Sequence, residues 1–390
     1  MARLVVYSHD GFGLGHVRRN LAVSRRLVEL DPATSVLVVT GIDVAGQFEL
    51  ADGIDILELP ALAKVTNGNY AARRLRVDAE AVHRLRAEIL TATVRSFRPH
   101  VMLVDKSPLG PGGELAGALD ALHDVGGRAV LGVRDVIDDA TTVAVEWAPR
   151  AVPAILAHYS RVLVYGSEGF LDPLADNDLP VSVRELSSYC GYVISDPPGR
   201  IVVPWREDDG PVVLATAGGG EDGAALLEAF IRAATDAPWR GVVVAGPMLP
   251  PAASARLSAL GADLGVRVVG FIPELAGWFA AVDAVVSMGG YNSLVEAVST
   301  GAPIVCVPRV HPRLEQLIRA RAFAEHGLLR VLEPEHLTPA TLRATIDAAL
   351  ADGRDPGRAD RLDGAGADRA ARELLEIASL RRRERRMPNA

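Results

Sequence analysis

The residues with the clearest capacity for chemistry form a glycine-rich turn near the start of the chain. Gly13, Gly15 and His16 follow the apolar run 4–7 and precede an Ala/Leu/Arg-rich stretch, which predicts a strand, a turn and a helix. Glycines let backbone N–H groups approach an anion or a sugar at a helix N-terminus, where the helix dipole favours negative charge. A histidine there is suited to accept a proton, because the dipole lowers its pKa. His16 is therefore a candidate general base, with a capping or packing role as the alternative.

A dinucleotide site is the rival interpretation of this turn. The Rossmann fingerprint needs a third glycine three residues after the second, and an acid at the end of the second strand. Here Gly15 is followed directly by His16, and the second apolar run ends at Thr40 and Gly41 with Asp43 displaced beyond it. The spacing therefore disfavours NAD binding.

A second glycine turn opens the later half of the chain. Thr216, Gly218 and Gly219 follow the apolar run 212–214, which indicates another strand-to-helix turn with backbone groups suited to phosphate. The Lys-Ser/Thr pair of a P-loop does not follow these glycines, so ATP hydrolysis is not expected. The turn predicts either a phosphate cradle or a plain tight turn.

The densest set of polar and glycine residues lies in four clusters, 270–275, 283–297, 301–309 and 313–316. Each cluster lies near the carboxyl end of a predicted strand, where ligands bind in parallel sheets. The candidate donor-binding residues in these clusters are Phe271, Ile272, Gly289, Gly290, Asn292, Ser293, Glu296, Arg309, Glu315 and Gln316.

These clusters resemble the nucleotide-sugar half of GT-B glycosyltransferases, specifically the family 28 group that includes the MurG-type N-acetylglucosaminyltransferases. The turn from Gly13 to His16 is similar to that family's N-terminal glycine loop and its histidine, so the resemblance covers nearly the whole chain, and Gly13 and Gly15 are candidate donor-binding residues. The resemblance implies an α/β protein of two Rossmann-like domains with parallel sheets facing across a cleft. It also implies inverting, metal-independent transfer from a UDP-sugar, either UDP-N-acetylglucosamine or a similar hexose donor, to a hydroxyl acceptor.

The resemblance also implies roles for individual residues. Glu296 would bind the ribose hydroxyls, and Phe271 and Ile272 would line the uracil base. Glu315 and Gln316 would contact the donor sugar, although MurG-type enzymes commonly carry Gln-Gln there. The residues that would hold the diphosphate are Gly289, Gly290, Asn292 and Ser293.

Physical chemistry bears separately on two of these positions. A carboxylate at Glu296 can accept hydrogen bonds from both ribose hydroxyls, so a 2'-deoxy donor would leave a buried acceptor unpaired, at a cost of about 1 to 3 kcal/mol. A ribonucleotide donor is therefore expected. Arg309 either offsets the diphosphate charge or pairs with an acid at the surface.

Other polar residues are weaker candidates. Asp105 and Asp135 each follow a predicted strand of the first half, and either could orient His16 or touch acceptor hydroxyls; we place Asp105 with His16 as the catalytic candidates. The polar turn 64–70 is either a surface turn or part of an acceptor-binding loop. Asp176-Asn177-Asp178 matches an Asp-x-Asp metal motif, but its Pro-flanked position in the first half argues against metal binding, and no His/Cys cluster has zinc spacing.

The elements that position these residues are predicted to form two domains. The chain has 390 residues, 49% of them hydrophobic, which is enough for two cores of ordinary size. Short apolar runs alternate with helical patterns on both sides of an aperiodic Pro- and acid-rich stretch near 195–210, which is typical of two α/β domains joined by a linker. We predict an acceptor-binding domain over 1–200, a donor-binding domain over 205–365, and a C-terminal helix with a basic tail over 366–390, packing back toward the first domain.

Composition limits the partners and the compartment. The formal charge of −8 and the lack of a basic face before the last ten residues argue against nucleic acid. Two distant cysteines within apolar segments indicate buried thiols in a reducing compartment, and neither a signal peptide nor a membrane-spanning run is evident. A cytoplasmic protein is expected, with a weak peripheral membrane contact left open.

The expected partners are a nucleotide-sugar donor and a small-molecule or lipid-linked hydroxyl acceptor, with no cofactor or metal beyond the co-substrate. Two alternatives remain for the function. A UDP-sugar 2-epimerase shares the expected architecture, and a catalytically inert nucleotide-sugar-binding protein would keep the donor site alone. Neither the acceptor nor the oligomeric state follows from the sequence.

Overall fold

The computed structural model describes residues 1–8, 15–42, 48–66, 69–195, 210–220, 222–272 and 275–384. They form two compact units, each with its own parallel β-sheet and hydrophobic core. The first unit contains residues 1–8, His16–Val193 and the segment from Ala365 onward, and the second contains Ile194–Gly364. The predicted α/β class with parallel sheets is confirmed.

The first unit contains a seven-stranded sheet and a separate antiparallel hairpin. Its strands are β1 (Arg3–Tyr7), β2 (Ser35–Thr40), β3 (Ile54–Glu58), the hairpin β4 (Leu62–Thr66) and β5 (Asn69–Ala72), β6 (Val101–Asp105), β7 (Arg128–Arg134), β8 (Tyr159–Tyr165) and β9 (Ser187–Tyr189). Its helices before the linker are α1 (Gly15–Leu30), α2 (Ala79–Phe97), α3 (Ala116–Asp124), α4 (Ala140–Thr142), α5 (Ala148–His158) and α6 (Val181–Arg184). The sheet order is β3-β2-β1-β6-β7-β8-β9, with every pairing parallel.

The second unit contains a six-stranded parallel sheet in the order β12-β11-β10-β13-β14-β15. Its strands are β10 (Val212–Thr216), β11 (Arg240–Val244), β12 (Arg267–Val269), β13 (Ala284–Ser287), β14 (Ile304–Cys306) and β15 (Arg330–Val331). Its helices are α7 (Ala224–Ala233), α8 (Pro251–Asp263), α9 (Leu275–Ala281), α10 (Tyr291–Ser299), α11 (Glu315–Glu325), α12 (Pro339–Asp352) and α13 (Gly357–Asp360).

The strand order reverses once in each sheet. In the first sheet β1 lies between β2 and β6, and in the second sheet β10 lies between β11 and β13. Ligands bind at such reversals, beyond the carboxyl ends of the strands, because the following connections leave toward opposite faces of the sheet. His16 follows β1 and Asp105 ends β6, while the two predicted glycine turns of the second unit follow β10 and β13.

Central strands are easier to predict than edge strands because they are buried on both faces. β6 is a run of five buried residues, and the sequence predicts it directly. The edge strand β3 carries exposed Asp55 and Glu58 and was not predicted. The short strands β9 and β15 were not predicted either. Edge strands need only one neighbour, so their apolar pattern is weak.

A buried ion pair lies at the carboxyl edge of the first sheet. The Arg86 guanidinium of α2 donates to both carboxylate oxygens of Glu114, at 2.7 and 2.8 Å, and to the Pro60 carbonyl at 2.7 Å. Tyr7, the last residue of β1, donates its hydroxyl to Glu114 at 2.6 Å. Burial disfavours ionisation of Glu114, but the contacts with Arg86 outweigh it and lower the pKa of this carboxyl. The pair therefore ties α2 and the segment before β4 to the strand that precedes His16.

The last described helix is α14 (Gly366–Glu384), which belongs to the first unit. Arg26 of α1 donates to Asp368 at 2.7 Å, and Ser188 of β9 donates to Glu373 at 2.8 Å. These contacts connect the end of the chain to elements formed from its first half. The basic tail 385–390 lies outside the described residues.

Candidate active site

His16 and Asp105 stand 89 positions apart in the sequence and meet at the carboxyl edge of the first sheet. His16 lies in the first turn of α1, and Asp105 is the last residue of β6. The Nδ1 atom of His16 lies 2.5 Å from Oδ2 of Asp105, and both residues are buried, with 7% and 0% of their surface exposed. An ionised carboxylate at this distance requires a proton on Nδ1, so the neutral ring carries its lone pair on Nε2. Such a ring can accept a proton from a hydroxyl group.

Two further side chains of α1 reach the same carboxylate, and the sequence analysis selected neither. Arg19 donates from Nη2 to Oδ1 of Asp105 at 2.6 Å, and this nitrogen also lies 3.1 Å from Nδ1 of His16. Asn20 donates from Nδ2 to Oδ2 of Asp105 at 3.4 Å. The available signal is helical spacing, because positions 19 and 20 follow His16 by three and four residues and so share its face of the helix.

The environment sets the charges of this pair. Burial lowers the pKa of His16 to about 4, and the positive charges of Arg19 and Arg134 act in the same direction, while Asp105 acts against them. Burial also disfavours the charge of Asp105, but the cation of Arg19 and the contact with His16 outweigh it and hold the pKa of that carboxyl well below its usual range. At neutral pH the site therefore presents a neutral imidazole beside a carboxylate, which is the resting state of a general base.

The neighbouring strands supply a support and a second acid. The guanidinium carbon of Arg19 lies 5.2 Å from the centre of the Tyr165 ring, at the end of β8, within the range of a cation–π contact. Asp135 directly follows β7 and is 1% exposed. Both acids named from the sequence are thus buried near this edge, and the carboxylate hydrogen-bonded to His16 is that of Asp105.

In the second unit, the turn after β10 has a backbone that favours glycine. Gly218 and Gly220 have φ angles of 65° and 94°. A Cβ at Gly220 would lie 2.3 Å from the carbonyl oxygen of Ala245, so no side chain fits there. The N–H of Gly218 donates to Oγ1 of Thr216 at 3.2 Å, and Gly218 itself is exposed while Gly219 is half-buried. A ligand can therefore approach the backbone of this turn.

The turn after β13 leads into the N-terminus of α10. Gly289 has a φ of 92°, and a Cβ there would lie 3.1 Å from the Cys306 sulfur. Gly290 precedes the helix, and a Cβ on it would meet no described atom within 4 Å. Open space in front of a helix N-terminus suits an anion, because the first N–H groups of the helix have no partner within it. Asn292 is buried and Ser293 half-buried on the first turn of this helix.

The remaining predicted donor residues occupy different environments. Glu296 lies one turn after Asn292 on α10 and is only 2% exposed. Phe271 and Ile272 follow β12 and are both half-buried. Gly13 lies outside the described residues, whereas Gly15 begins α1.

A buried arginine supports the Gly289 turn and was also missed from the sequence. Arg319 of α11 is fully buried and donates from Nη1 to the Gly289 carbonyl at 3.2 Å. Its guanidinium carbon lies 5.6 Å from the centre of the Tyr291 ring. Burial raises the pKa of the adjacent Cys306 thiol above its usual range, although the Arg319 charge opposes this effect. Nothing local in the sequence distinguishes this arginine from the exposed Arg321 two residues later.

Two alternatives were open for Arg309: to offset the diphosphate charge or to pair with an acid. In the structure its guanidinium is paired with two acids. Its Nη1 lies 3.1 Å from Oδ2 of Asp222, and its Nη2 contacts Oε1 of Glu315. Its backbone N–H donates to Oε1 of Gln316 at 3.1 Å. The two residues predicted to touch the donor sugar are therefore both held by Arg309, which links the start of α11 to the segment after the Gly218 turn.

The weaker candidates are local structures. The turn 64–70 contributes to the hairpin of β4 and β5, with residues 67–68 outside the described part. Asp176 accepts a hydrogen bond from the backbone of Asp172 at 3.1 Å, and Asn177 donates to the Pro173 carbonyl at 2.8 Å, so both serve their own loop. Within the described ranges, no group of three or more His, Cys, Asp or Glu residues is arranged to hold a metal ion.

None of the helices in the described part of the chain is both long and apolar enough to cross a bilayer.

The chain is similar to known proteins in sequence and in fold. Residues 246–372 match the family described as the glycosyltransferase family 28 C-terminal domain. The NDP-glycosyltransferase YjiC of Bacillus subtilis is 28% identical over 174 residues, which cover 43% of this chain and 42% of that protein. The chain thus spans less than half the length of that relative.

Two further similarities extend over the whole chain. The UDP-N-acetylglucosamine--N-acetylmuramyl-(pentapeptide) pyrophosphoryl-undecaprenol N-acetylglucosamine transferase of Solidesulfovibrio magneticus is 25% identical, covering 97% of this chain and 99% of that protein. The crystal structure of CalG4, the calicheamicin glycosyltransferase, superposes with a TM-score of 0.65 at 19% identity, covering 97% of this chain and 98% of that one. The α/β fold of two Rossmann-like domains that the resemblance implies is therefore confirmed.

Proposed function

We propose that this chain transfers a sugar from a UDP-sugar to a hydroxyl acceptor, with inversion and without a metal ion. The match of residues 246–372 to the glycosyltransferase family 28 C-terminal domain and the fold shared with a GT-B glycosyltransferase support the proposal. The single observation that carries the proposal is the buried hydrogen bond of 2.5 Å between His16 and Asp105. It leaves a neutral imidazole with a defined tautomer, which is the group that a hydroxyl nucleophile requires.

In the proposed reaction His16 accepts the hydroxyl proton at Nε2. The acceptor oxygen forms a bond to the anomeric carbon of the sugar while the bond from that carbon to the diphosphate oxygen breaks. UDP leaves with the electron pair of the broken bond, and attack from the opposite face inverts the anomeric configuration. Asp105 stabilises the imidazolium that forms, because its carboxylate is already hydrogen-bonded to Nδ1.

The second unit would hold the donor. The N-terminus of α10 would offer N–H groups to the diphosphate as charge develops on it, and the exposed backbone at Gly218 would leave room for the diphosphate to approach. Such fixed dipoles can take the place of a divalent cation in stabilising a leaving diphosphate. Arg309 contributes by holding Glu315 and Gln316, not as a free cation, since it is already paired with two carboxylates.

The proposed donor is UDP-N-acetylglucosamine or a similar UDP-hexose, and the proposed acceptor is a small molecule or a lipid-linked hydroxyl compound. One relative is named as a UDP-N-acetylglucosamine transferase and another as an NDP-glycosyltransferase, which supports the donor class. We place the reaction in the cytoplasm, since Cys190 and Cys306 are buried thiols that form no disulfide, as expected in a reducing compartment.

The pH dependence should reveal the low pKa of His16. The imidazole is a base only when it is neutral, so kcat/KM should be constant at neutral pH and fall as the pH drops through about 4. An unperturbed histidine would lose activity through its ordinary value of 6.5. Initial rates at acceptor concentrations well below KM, with saturating donor, measure kcat/KM for the acceptor across this range. A limb near 6.5 would contradict the lowered pKa of the buried His16 as the pKa of the active base.

The ribose contact can be tested at Glu296. Replacing it with Ala should weaken UDP binding by about 1 to 3 kcal/mol, because a ribose hydroxyl loses its carboxylate partner. Calorimetry with UDP and 2'-deoxy-UDP measures this effect, and the parent should discriminate between the two whereas Glu296→Ala should not. Glu325→Ala, at an exposed position on α11, is the matched control. Equal UDP affinities in parent and Glu296→Ala would refute the assigned contact.

The proposed function itself is tested by binding followed by turnover. UDP, dTDP, GDP, ADP and NAD are compared by calorimetry, first without metal and then with Mg²⁺, and UDP-sugars are then assayed for UDP release with and without acceptors. Metal-independent preference for UDP and acceptor-dependent UDP release are expected. Conversion of the sugar without an acceptor would favour a 2-epimerase, and UDP binding without any turnover would favour an inert binding protein. Binding of NAD alone would reject the donor assignment.

A further inference from the structure

We propose that Arg19 is a positioning residue of this active site, which holds the Asp105 carboxylate so that His16 is kept with its proton on Nδ1. The inference rests on the function proposed above. It concerns a side chain that the reaction scheme does not use, and it can be examined without any turnover.

The hydrogen bond from Arg19 fixes the orientation of the Asp105 carboxylate. Arg19 Nη2 can only donate, and it donates to Oδ1 of Asp105 at 2.6 Å. This contact fixes the rotation of the carboxylate and presents its other oxygen, Oδ2, to Nδ1 of His16 at 2.5 Å. Asn20 donates to that same oxygen at 3.4 Å. One carboxylate therefore receives three donors, and Arg19 is the one that holds the oxygen facing away from His16.

The same contact favours one tautomer of the His16 imidazole. The same Arg19 nitrogen lies 3.1 Å from Nδ1 of His16, so it would donate to that nitrogen if Nδ1 were unprotonated. The carboxylate of Asp105 would then face a lone pair at 2.5 Å, which is repulsive. Because the Arg19 contact with Oδ1 keeps Oδ2 of Asp105 directed at Nδ1, the stable arrangement has the Nδ1 proton between His16 and Asp105. The lone pair needed for catalysis is then on Nε2.

Arg19 is itself held in place by its surroundings. Only 2% of its surface is exposed, and Tyr165 lies under its guanidinium, 5.2 Å from ring centre to carbon. Tyr165 ends β8, Asp105 ends β6, and Arg19 belongs to α1, so three elements determine one guanidinium position. A long side chain fixed in this way loses little further entropy when the substrate binds.

The charges around His16 make the role measurable. The charged groups that act on His16 are Asp105 on β6, Arg19 on its own helix and Arg134 at the end of β7. Arg19 disfavours a second positive charge on the imidazole, and it also keeps Asp105 ionised. Removing the Arg19 cation should therefore let His16 take up a proton at higher pH.

The experiment is a pH titration of the 390-residue chain labelled with ¹⁵N and ¹³C in histidine, monitored by NMR in the absence of ligands. The His16 signal is assigned from a His16→Gln variant. The variants compared are Arg19→Gln, Arg19→Lys and the matched control Arg18→Gln, which removes an arginine from the adjacent position of the same helix. Where turnover is established, kcat and the donor KM are measured for the same proteins.

Arg19→Gln should raise the His16 titration midpoint and give a mixture of the two neutral tautomers, whereas Arg18→Gln should change neither. Arg19→Lys keeps a cation without the fork of donors, so its midpoint should stay below that of Arg19→Gln while its tautomers are also mixed. In turnover, kcat should fall by about 10²-fold in Arg19→Gln with the donor KM little changed.

An unchanged midpoint and a single Nδ1–H tautomer in Arg19→Gln would overturn the inference, whatever the effect on stability. If Arg19→Gln does not fold, the test rests on Arg19→Lys. A single Nδ1–H tautomer of His16 in that variant would equally overturn the inference. The titration needs no substrate, so a failure of the proposed glycosyl transfer would appear in the turnover and binding assays and leave this result independent.

Discussion

Replacing His16 with Ala should lower kcat by about 10²-fold or more while leaving UDP affinity nearly unchanged. The variant lacks the only group proposed to take the hydroxyl proton, so the acceptor must attack in its far less nucleophilic protonated form. The UDP contacts are assigned to the second unit, which this substitution does not alter. Turnover is measured as acceptor-dependent UDP release, and UDP affinity by calorimetry on the same preparation.

The control for this prediction is His123→Ala, because His123 is an exposed histidine on α3 of the same unit. It should retain the parent kcat. A His16→Ala protein with unchanged turnover would eliminate His16 as the base. Loss of UDP affinity together with turnover would instead indicate that this residue serves donor binding.

The second large effect is expected on stability, at the buried pair of Arg86 and Glu114. Arg86→Met should lower the free energy of unfolding by about 3 to 5 kcal/mol, because the remaining Glu114 carboxylate is buried without its cationic partner. Arg86 also donates to the Pro60 carbonyl at 2.7 Å, and that acceptor loses its partner as well. Urea unfolding monitored by circular dichroism measures the change.

Two comparisons make this prediction specific. The double variant Arg86→Met with Glu114→Leu should recover most of the loss, since an apolar pair of similar volume has no charge to leave unpaired. Arg84→Met is the matched single control on the same helix, where the arginine is largely exposed and its contact with Glu80 spans 3.5 Å. It should change stability little. Equal losses of unfolding free energy in Arg84→Met and Arg86→Met would show that the buried pair stabilises the fold no more than the exposed contact does.

Some of this site was predictable because its signals are local. The glycine turns at Gly218 and Gly289 were named from residue type and position after apolar runs, and both turns contain glycines with positive φ angles. Gly290 was named for the same reason, and it precedes α10. A backbone requirement of this kind is visible in one stretch of sequence, because few residues other than glycine meet it.

For two other features the sequence allows alternatives, because the choice between them depends on partners that are distant in the chain. Asp105 and Asp135 were equally placed by sequence to orient His16, and the two stand one strand apart in the sheet. Arg309 could have faced a diphosphate, and instead its partners are Asp222, 87 positions earlier, and Glu315. Neither choice can be made from spacing alone.

The two α/β halves, the glycine turns at the ends of their strands and the histidine at the first turn could all be predicted from the sequence. These features follow from apolar periodicity and from backbone restrictions, which act over a few residues. The pairing of Asp105 with His16, the contact of Arg19 with both, and the burial that lowers the pKa of His16 to about 4 are visible in the folded chain and not in its sequence. Pairing and desolvation depend on which residues the fold brings together and shields from water, and for this pair the fold joins positions 89 residues apart.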